Sequence, residues 1–350
     1  MNKPLKVAVI GCGSIAIHRH VPEYAANPNV ELVAFCDLTK EVAQRMADQY
    51  GVTNVFTSHK ELLAEVDVDA VSVCTQNVDH ASVSIDAANA GCHVLCEKPM
   101  ATSLEEAQNM IKAASENNVK LMIGHNQRLM PPHVKAKEIL TSGKLGKTLT
   151  FKTTFGHGGA DSWSIQGKDT WFLKKEKAFV GAMGDLGVHK IDLMRWLLGE
   201  EVSEVAAFVN TLHKEADVDD NATTLLKMES GAIGTMAASW TYYKGEDNTT
   251  TIYGENGVLE IRDHPEVQVV VKLTDGSVEQ YSVGAIATND AGGQVASGVI
   301  DEFVTSILEN REPAITGEEG MKSLQVVLAA LQSSETKSFV AVRKSNKEDE

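Results

Sequence analysis

Basic residues are in short supply. The 350-residue chain carries 32 lysines and arginines against 48 acids, a formal net charge of −16, which disfavours a nucleic-acid or anionic-membrane partner. A small anionic ligand stays open, because it responds to the local field of a cleft. Long apolar runs are missing too: no stretch approaches the roughly 18 residues of a membrane span. The opening MNKPLKVAVIGCG runs straight into a strand and a glycine turn, which leaves no room for a signal peptide. Cysteine is sparse and odd in number. Cys12, Cys36, Cys74, Cys92 and Cys96 all lie in the first third of the chain, so they read as buried thiols of a reducing cytoplasm, not a disulfide framework. Cys92 and Cys96 have no second pair at zinc spacing, and no metal site is expected.

What is present begins with an alternation. LKVAVI (5–10), VELVAFCD (30–37), DAVSVC (69–74), CHVLC (92–96) and VKLMIG (119–124) are short apolar runs separated by helical patterns. Ser58 with Glu61 and Ser103 with Glu106 stand at capping-box spacing. Uniformly apolar strands alternating with amphipathic helices predict a doubly wound parallel α/β domain over residues 1–124. Between its first strand and first helix lies GCGSIA (11–16). There Gly11 permits the tight turn, Gly13 lets a pyrophosphate approach the backbone, Ser14 and Ile15 complete the turn, and Ala16 allows close helix–strand packing. Asp37 ends the second strand, where a carboxylate accepts hydrogen bonds from an adenosine ribose diol and repels a 2′-phosphate. Leu38 and Thr39 follow it, not arginines, so NAD is expected in preference to NADP.

From about residue 147 the pattern changes to strand-like runs joined by short Gly, Asn or Asp turns. This predicts a mainly antiparallel open sheet in an α+β substrate-binding domain over 125–340, with RKSNKEDE (343–350) as a disordered tail. Leu225, Met228, Ile233 and Met236 are expected on an outer face of that sheet. Such a face needs a cover, which predicts a homodimer or homotetramer. One helix, MGDLGVHKIDLMRWLLG (183–199), interrupts the strands. Its Asp185, His189 and Asp192 stand at i, i+4 and i+7 among apolar residues, and unpaired buried charge is costly. These residues need partners or a cleft. An imidazole here can take the proton of an alcohol while the neighbouring carbon gives up hydride, and Asp185 can orient the substrate or bias the imidazole. Lys98 poses a separate question: it sits at the end of a strand, before Pro99, where a lysine is ordinarily a solvated turn residue.

Taken in order, VIGCGSIAIHRH (9–20), CTQNVDHASVSIDAANAGCHVLCEKPMA (74–101), GHNQRLMPP (124–132), GAMGDLGVHKIDLMRWLLG (181–199) and ENREPAITGEEG (309–320) resemble the Gfo/Idh/MocA oxidoreductases. These are inositol and sugar dehydrogenases related to glucose–fructose oxidoreductase. The resemblance covers nearly the whole chain and implies roles. Lys98, in the EKP motif with Glu97, hydrogen-bonds the reacting hydroxyl beside the nicotinamide, and the peptide before Pro99 is often cis in relatives. Asp185 and His189 match the family's catalytic pair, and Asp192 its substrate-contacting Asp. Thr75, Gln76 and Asn77, with His80 following, take the place of its Thr-Pro-Asn loop near the nicotinamide ribose. Gln76 departs from the usual proline, which puts the loop backbone in question. Asn126 and Arg128 match polar positions that line the substrate cleft.

The implied reaction oxidises a secondary hydroxyl of an inositol, hexose or sugar phosphate to a ketone, with His189 taking the proton and Lys98 polarising the oxygen. In the loop 155–172, His157 and Trp171 are candidate substrate contacts, while Lys152, His157 and Lys168 keep a phosphate open. Two other classes stand beside the dehydrogenase: an NAD-dependent lyase or hydrolase that oxidises its sugar transiently, and a non-catalytic NAD-binding regulator.

Overall fold

Six apolar strands pair side by side in the first sheet of the computed structural model, which describes residues 3–243, 245–284, 286 and 297–342. The expected tail at 343–350 lies outside the described residues. The strands are β1 (Leu5–Ile10), β2 (Val30–Cys36), β3 (Asn54–Phe56), β4 (Ala70–Val73), β5 (His93–Cys96) and β6 (Leu121–Ile123). They run parallel in the order β3-β2-β1-β4-β5-β6. That order reverses at β1, the switch point of a dinucleotide-binding sheet. All four residues of β4 are buried, and Val7, Ala8 and Val9 of β1 have no exposure, as a sheet covered on both faces requires. Helix starts follow the local chemistry: Ser58 accepts from Glu61 N and Ser103 from Glu106 N. The return arm of the second box is shifted, since Glu106 Oε2 takes the N–H and hydroxyl of Thr102.

The second sheet has nine strands. They are β7 (Thr148–Gly156), β8 (Val202–Asn210), β9 (Asn221–Met228), β10 (Ile233–Ser239), β11 (Thr250–Gly254), β12 (Gly257–Ile261), β13 (Val269–Leu273), β14 (Val278–Tyr281) and β15 (Val340–Ala341). Their order is β14-β13-β12-β11-β7-β10-β9-β8-β15. Every pair is antiparallel except β7 with β10. Strand β9 alternates strictly between buried and solvent-facing residues, so one face packs on the core and the other is open.

That alternation corrects the expected outer face. Leu225 and Ile233 are about half exposed, but Met228 and Met236 are fully buried. Each methionine stands three residues from its partner, and in a strand an odd step changes face. Leu149 and Phe208 join Leu225 and Ile233 among the exposed apolar side chains of the sheet.

By their contacts the residues group into two compact units, and neither is one continuous stretch. The first comprises Met1–Asn126, Trp163–Phe179 and Ala291–Met321; the second comprises Gln127–Ser162, Val180–Asp290 and Lys322–Glu350. A single cut near residue 125 therefore does not describe the grouping. Within the first unit, Ile123 N donates to Ile315 O at 3.0 Å, beside a bridge between Met122 and Thr316. The late segment thereby caps the outer edge of β6. Among the described residues, no helix is long and apolar enough to cross a membrane.

Candidate active-site residues

In a parallel sheet all carboxyl ends share one edge. The residues leaving β1, β2, β4, β5 and β6 there are Gly11–Gly13, Asp37, Cys74–Thr75, Glu97–Lys98 and Gly124–Asn126. Gly11 has φ +91°, and a Cβ on it would meet Cys74 O at 2.4 Å, so the turn after β1 passes hard against the end of β4. A Cβ on Gly13 would meet nothing within 4 Å, which leaves its backbone open to a ligand. Asp37 is held by the turn it serves: Oδ2 accepts from Cys12 N at 2.9 Å and Oδ1 from Thr39 N at 2.8 Å. Each oxygen keeps acceptor capacity for a ribose hydroxyl. These residues fit a dinucleotide: Gly11, Gly13 and the turn through Ala16 would hold the pyrophosphate, and Asp37 the adenosine ribose. The chain beyond the turn is a π-helical turn, Ala16–His20, before the α-helix Val21–Ala26. Such turns are rare and concentrate at functional sites.

Other expected cofactor contacts have structural duties. Ser14 Oγ accepts from Ile165 N at 3.2 Å. Asn77 donates through Nδ2 to Ala178 O at 2.9 Å, tying the segment Trp163–Phe179 to the same unit. His80 is buried, with Nδ1 2.8 Å from Pro99 O and Nε2 3.2 Å from Thr75 O. Burial lowers its pKa against the pull of these carbonyls, so a neutral ring donates to the nearer Pro99. It thereby staples the Lys98–Pro99 turn, whose peptide is cis. Glu97 is nearly buried, which by itself would raise its pKa. The hydrogen bond from His20, with the charge and N–H of Lys98, brings it down to about 2. Asn126 Oδ1 is buried and has no hydrogen-bond partner among the described residues, as an acceptor kept for a ligand would be. Trp171 stacks on Phe172, ring centroids 3.8 Å apart, and Trp163 packs edge-on against the same ring.

In the second unit, Asp185 lies in a π-helical turn, Met183–Gly187, that leads into the α-helix Val188–Leu198 carrying His189 and Asp192. The start of this turn is fixed from outside. Asp219 takes Gly181 N and Met183 N on its two oxygens, both at 2.7 Å, and its carbonyl takes Ala182 N. A Cβ on Gly181 would fall 1.8 Å from Asp219 O. Burial pushes Asp219 up to about 6 against those N–H groups. Asp185 Oδ2 accepts from Trp240 Nε1 at 3.1 Å, which aims that oxygen. The His189 ring lies 6.0 Å from Phe155. His157 Nδ1 accepts from Gly159 N at 2.9 Å, which makes Nε2 the N–H.

Arg128 and Asp192, both expected to meet substrate, are paired with each other. Arg128 Nε and Nη2 donate to Asp192 Oδ2 and Oδ1 at 2.7 and 2.6 Å, and Ser323 Oγ donates to Oδ1 at 3.0 Å. The network continues through Arg195 to Ser323 and Glu201. Next to His189, Lys190 is fully buried, and among the described residues its Nζ has no hydrogen-bond partner. Burial lowers its pKa to about 7, opposed by Asp247 and Glu246. Lys190, Trp240, Asp219 and His20 carry structural or chemical weight that sequence reasoning missed. For Trp240 and Asp219 the only local signs were an aromatic at the end of a strand and a pair of adjacent acids.

Comparison with known proteins agrees with this layout. A family model described as an oxidoreductase family with an NAD-binding Rossmann fold matches residues 5–125, and one described as the GFO/IDH/MocA C-terminal domain matches residues 133–260. The chain is 28% identical over 344 residues to a myo-inositol 2-dehydrogenase of Thermotoga maritima, covering 96% of this chain and 98% of that one. It is 30% identical over 302 residues to a levoglucosan dehydrogenase of Pseudarthrobacter phenanthrenivorans, 76% of each chain. Among solved structures, levoglucosan dehydrogenase in complex with NADH superposes with a TM-score of 0.87 at 25% identity, over 98% of this chain and 100% of that one.

Proposed function

The chain belongs to the GFO/IDH/MocA oxidoreductases, and on that premise we propose that it is an NAD-dependent dehydrogenase oxidising a secondary hydroxyl of a cyclitol or sugar to a ketone. The observation that carries this reading is the line-up at one edge of the parallel sheet. An open glycine turn, a ribose-directed carboxylate at Asp37 and Lys98 leave β1, β2 and β5 at the same edge. Open α/β sheets bind their ligands at that edge.

The bound nicotinamide supplies the hydride acceptor. The protein's part is to orient the alcohol and move its proton. In this reading Lys98 donates a hydrogen bond to the reacting oxygen and stabilises negative charge as it develops there. His189 removes the hydroxyl proton. Asp185, its one oxygen anchored by Trp240, orients the imidazole or a neighbouring hydroxyl. Asn126, with its unpartnered acceptor, and His157, as an Nε2–H tautomer, suit polyol hydroxyls, while Trp171 offers an aromatic face. Asp37 selects NAD by excluding a 2′-phosphate.

Relatives named as acting on inositols, levoglucosan and glucosides support an unphosphorylated polyol. Lys152 and Lys168 are exposed surface lysines, which gives a phosphate no built site. We also assign the open sheet face bearing Phe208, Leu225 and Ile233 to a contact between copies of the chain, since exposed apolar patches call for a cover.

NADH formation on a panel of inositols, levoglucosan, alkyl glucosides and hexose phosphates tests the reading. Catalytic accumulation of NADH with one polyol is the expected result. Product formation without NADH would favour a transiently oxidising lyase or hydrolase, and tight NAD binding without turnover on any compound would favour a regulator.

A further inference from the structure

Behind Lys98 runs a chain of polar side chains that packing alone does not require. Tyr24 and Ser72 have no exposure and His20 only 3%. Tyr24 OH lies 2.8 Å from Ser72 Oγ, Ser72 Oγ lies 3.0 Å from His20 Nδ1, and His20 Nε2 lies 2.9 Å from Glu97 Oε1. The chain ends at Glu97 Oε2, which accepts from Lys98 N at 3.2 Å. We propose that His20 and Glu97 form a positioning pair that sets the direction of Lys98 for catalysis. The proposal rests on the reading of Lys98 as the group that holds the reacting hydroxyl.

The proton directions are consistent along the whole chain. An ionised Glu97 only accepts, so His20 Nε2 is an N–H. Tyr24 O–H to Ser72 and Ser72 O–H to His20 Nδ1 then complete a one-way run in which every buried donor finds an acceptor. Burying such groups is costly unless all are satisfied, and an all-apolar Tyr24, Ser72 and His20 set would fill the same space. Ser72 is the polar member of the fully buried strand β4, and its hydroxyl serves this chain. The pair also has little room to move. A Cβ on Gly124 would lie 3.0 Å from Glu97 Oε1, so glycine at that position leaves the carboxylate its space and a larger residue would crowd it. From the other side His80 holds Pro99 O at 2.8 Å. The peptide that bears Lys98 is therefore gripped at its N–H by Glu97, and at the following residue's carbonyl by His80. None of these contacts involves the glycine turn or Asp37.

Four variants, His20→Leu, His20→Gln, Glu97→Gln and Lys98→Ala, test the pair in the full-length protein. Turnover is measured on whichever of myo-inositol and levoglucosan the unmodified enzyme oxidises faster, with NAD affinity by titration calorimetry. His20→Leu and the isosteric Glu97→Gln should lower kcat by about 10- to 100-fold, the scale of a misaligned catalytic group, with the dissociation constant for NAD unchanged. His20→Gln keeps a donor near the position of Nε2 and should recover most of that loss, which a merely structural histidine would not show. Should His20→Leu fail to fold, Glu97→Gln decides the matter.

A readout that needs no substrate accompanies these. Acetylation of Lys98 by acetic anhydride, followed by mass spectrometry, should change by about threefold or more in Glu97→Gln, because a neighbouring charge has been removed. Normal turnover and unchanged acetylation in Glu97→Gln would overturn the pair. The comparison with Lys98→Ala separates two failures. If Lys98→Ala abolishes turnover while His20→Leu and Glu97→Gln do not, only the positioning pair is wrong. If Lys98→Ala turns over normally, the catalytic reading of Lys98 falls, and the pair falls with it.

Discussion

Glu97 and Asp192 are both carboxylates withdrawn from water, and they differ in what answers their charge. Glu97, leaving β5, meets an imidazole at 2.9 Å and a peptide N–H at 3.2 Å. Asp192 meets both arms of Arg128, at 2.6 and 2.7 Å, and the hydroxyl of Ser323. The first arrangement is a run of hydrogen bonds that ends at a residue with a chemical assignment. The second is centred on a bidentate ion pair, a strong form of charge-assisted hydrogen bond, and runs on through Ser323 and Arg195 to Glu201, a residue with no chemical assignment. Burial of a charge is therefore no sign of chemistry on its own; where its hydrogen bonds lead is the better guide.

The largest effect that sharpens this contrast is on stability. Arg128→Met leaves Asp192 buried without its guanidinium and should cost about 3–5 kcal/mol in urea unfolding. Adding Asp192→Leu should return most of it, because the uncompensated charge is gone. A single variant that keeps full stability and loses turnover would instead move Asp192 into the chemistry and break the comparison.

Next in size, Lys98→Ala and His189→Ala should each lower kcat by about 10²-fold or more with NAD affinity unchanged. Their double variant should lose much less than the product of the two, as groups acting on one oxygen do. Simple multiplication of the effects would show that they serve different steps. Asp37→Ala should raise KM for NAD by about 10-fold, the scale of lost charged hydrogen bonds, and narrow the preference over NADP. An NADP preference in the unmodified protein would remove the role given to Asp37.

The smallest effect concerns Lys190, a buried amine whose Nζ has no hydrogen-bond partner among the described residues. Its folded pKa, near 7, lies below the ordinary lysine value, so folding releases its proton between those limits. Stability from this group therefore rises as pH climbs from about 7 towards 10 and is lowest at or below 7. Lys190→Met should stabilise the protein by about 1 kcal/mol near pH 6–7, and the gain should fade by pH 10. Thermal melts across that range check the sign.

The open face of the second sheet shows how far local pattern reaches. Its antiparallel character was legible from turn residues between strand-like runs, and the parallel pairing of β7 with β10 was not. Leu225 and Ile233 are exposed as expected, whereas Met228 and Met236 show that hydrophobic type alone does not say which face a strand residue takes. Strict application of the two-residue period would have separated them. The helix bearing Asp185 and His189 was legible as a polar line in apolar surroundings. Its π-helical start was not, because the clamp that shapes it comes from Asp219, more than 30 residues on.

The sequence alone determined the dinucleotide sheet, its glycine turn, the carboxylate that ends β2 and the residue types available for chemistry. Those features depend on a few neighbouring residues, where sterics, periodicity and capping act directly along the chain. Tertiary structure decided which partner meets each buried charge. Arg128 meets Asp192 across 64 residues and His20 meets Glu97 across 77, and no local spacing records either meeting. Only the packed core, by excluding water, makes those partners necessary.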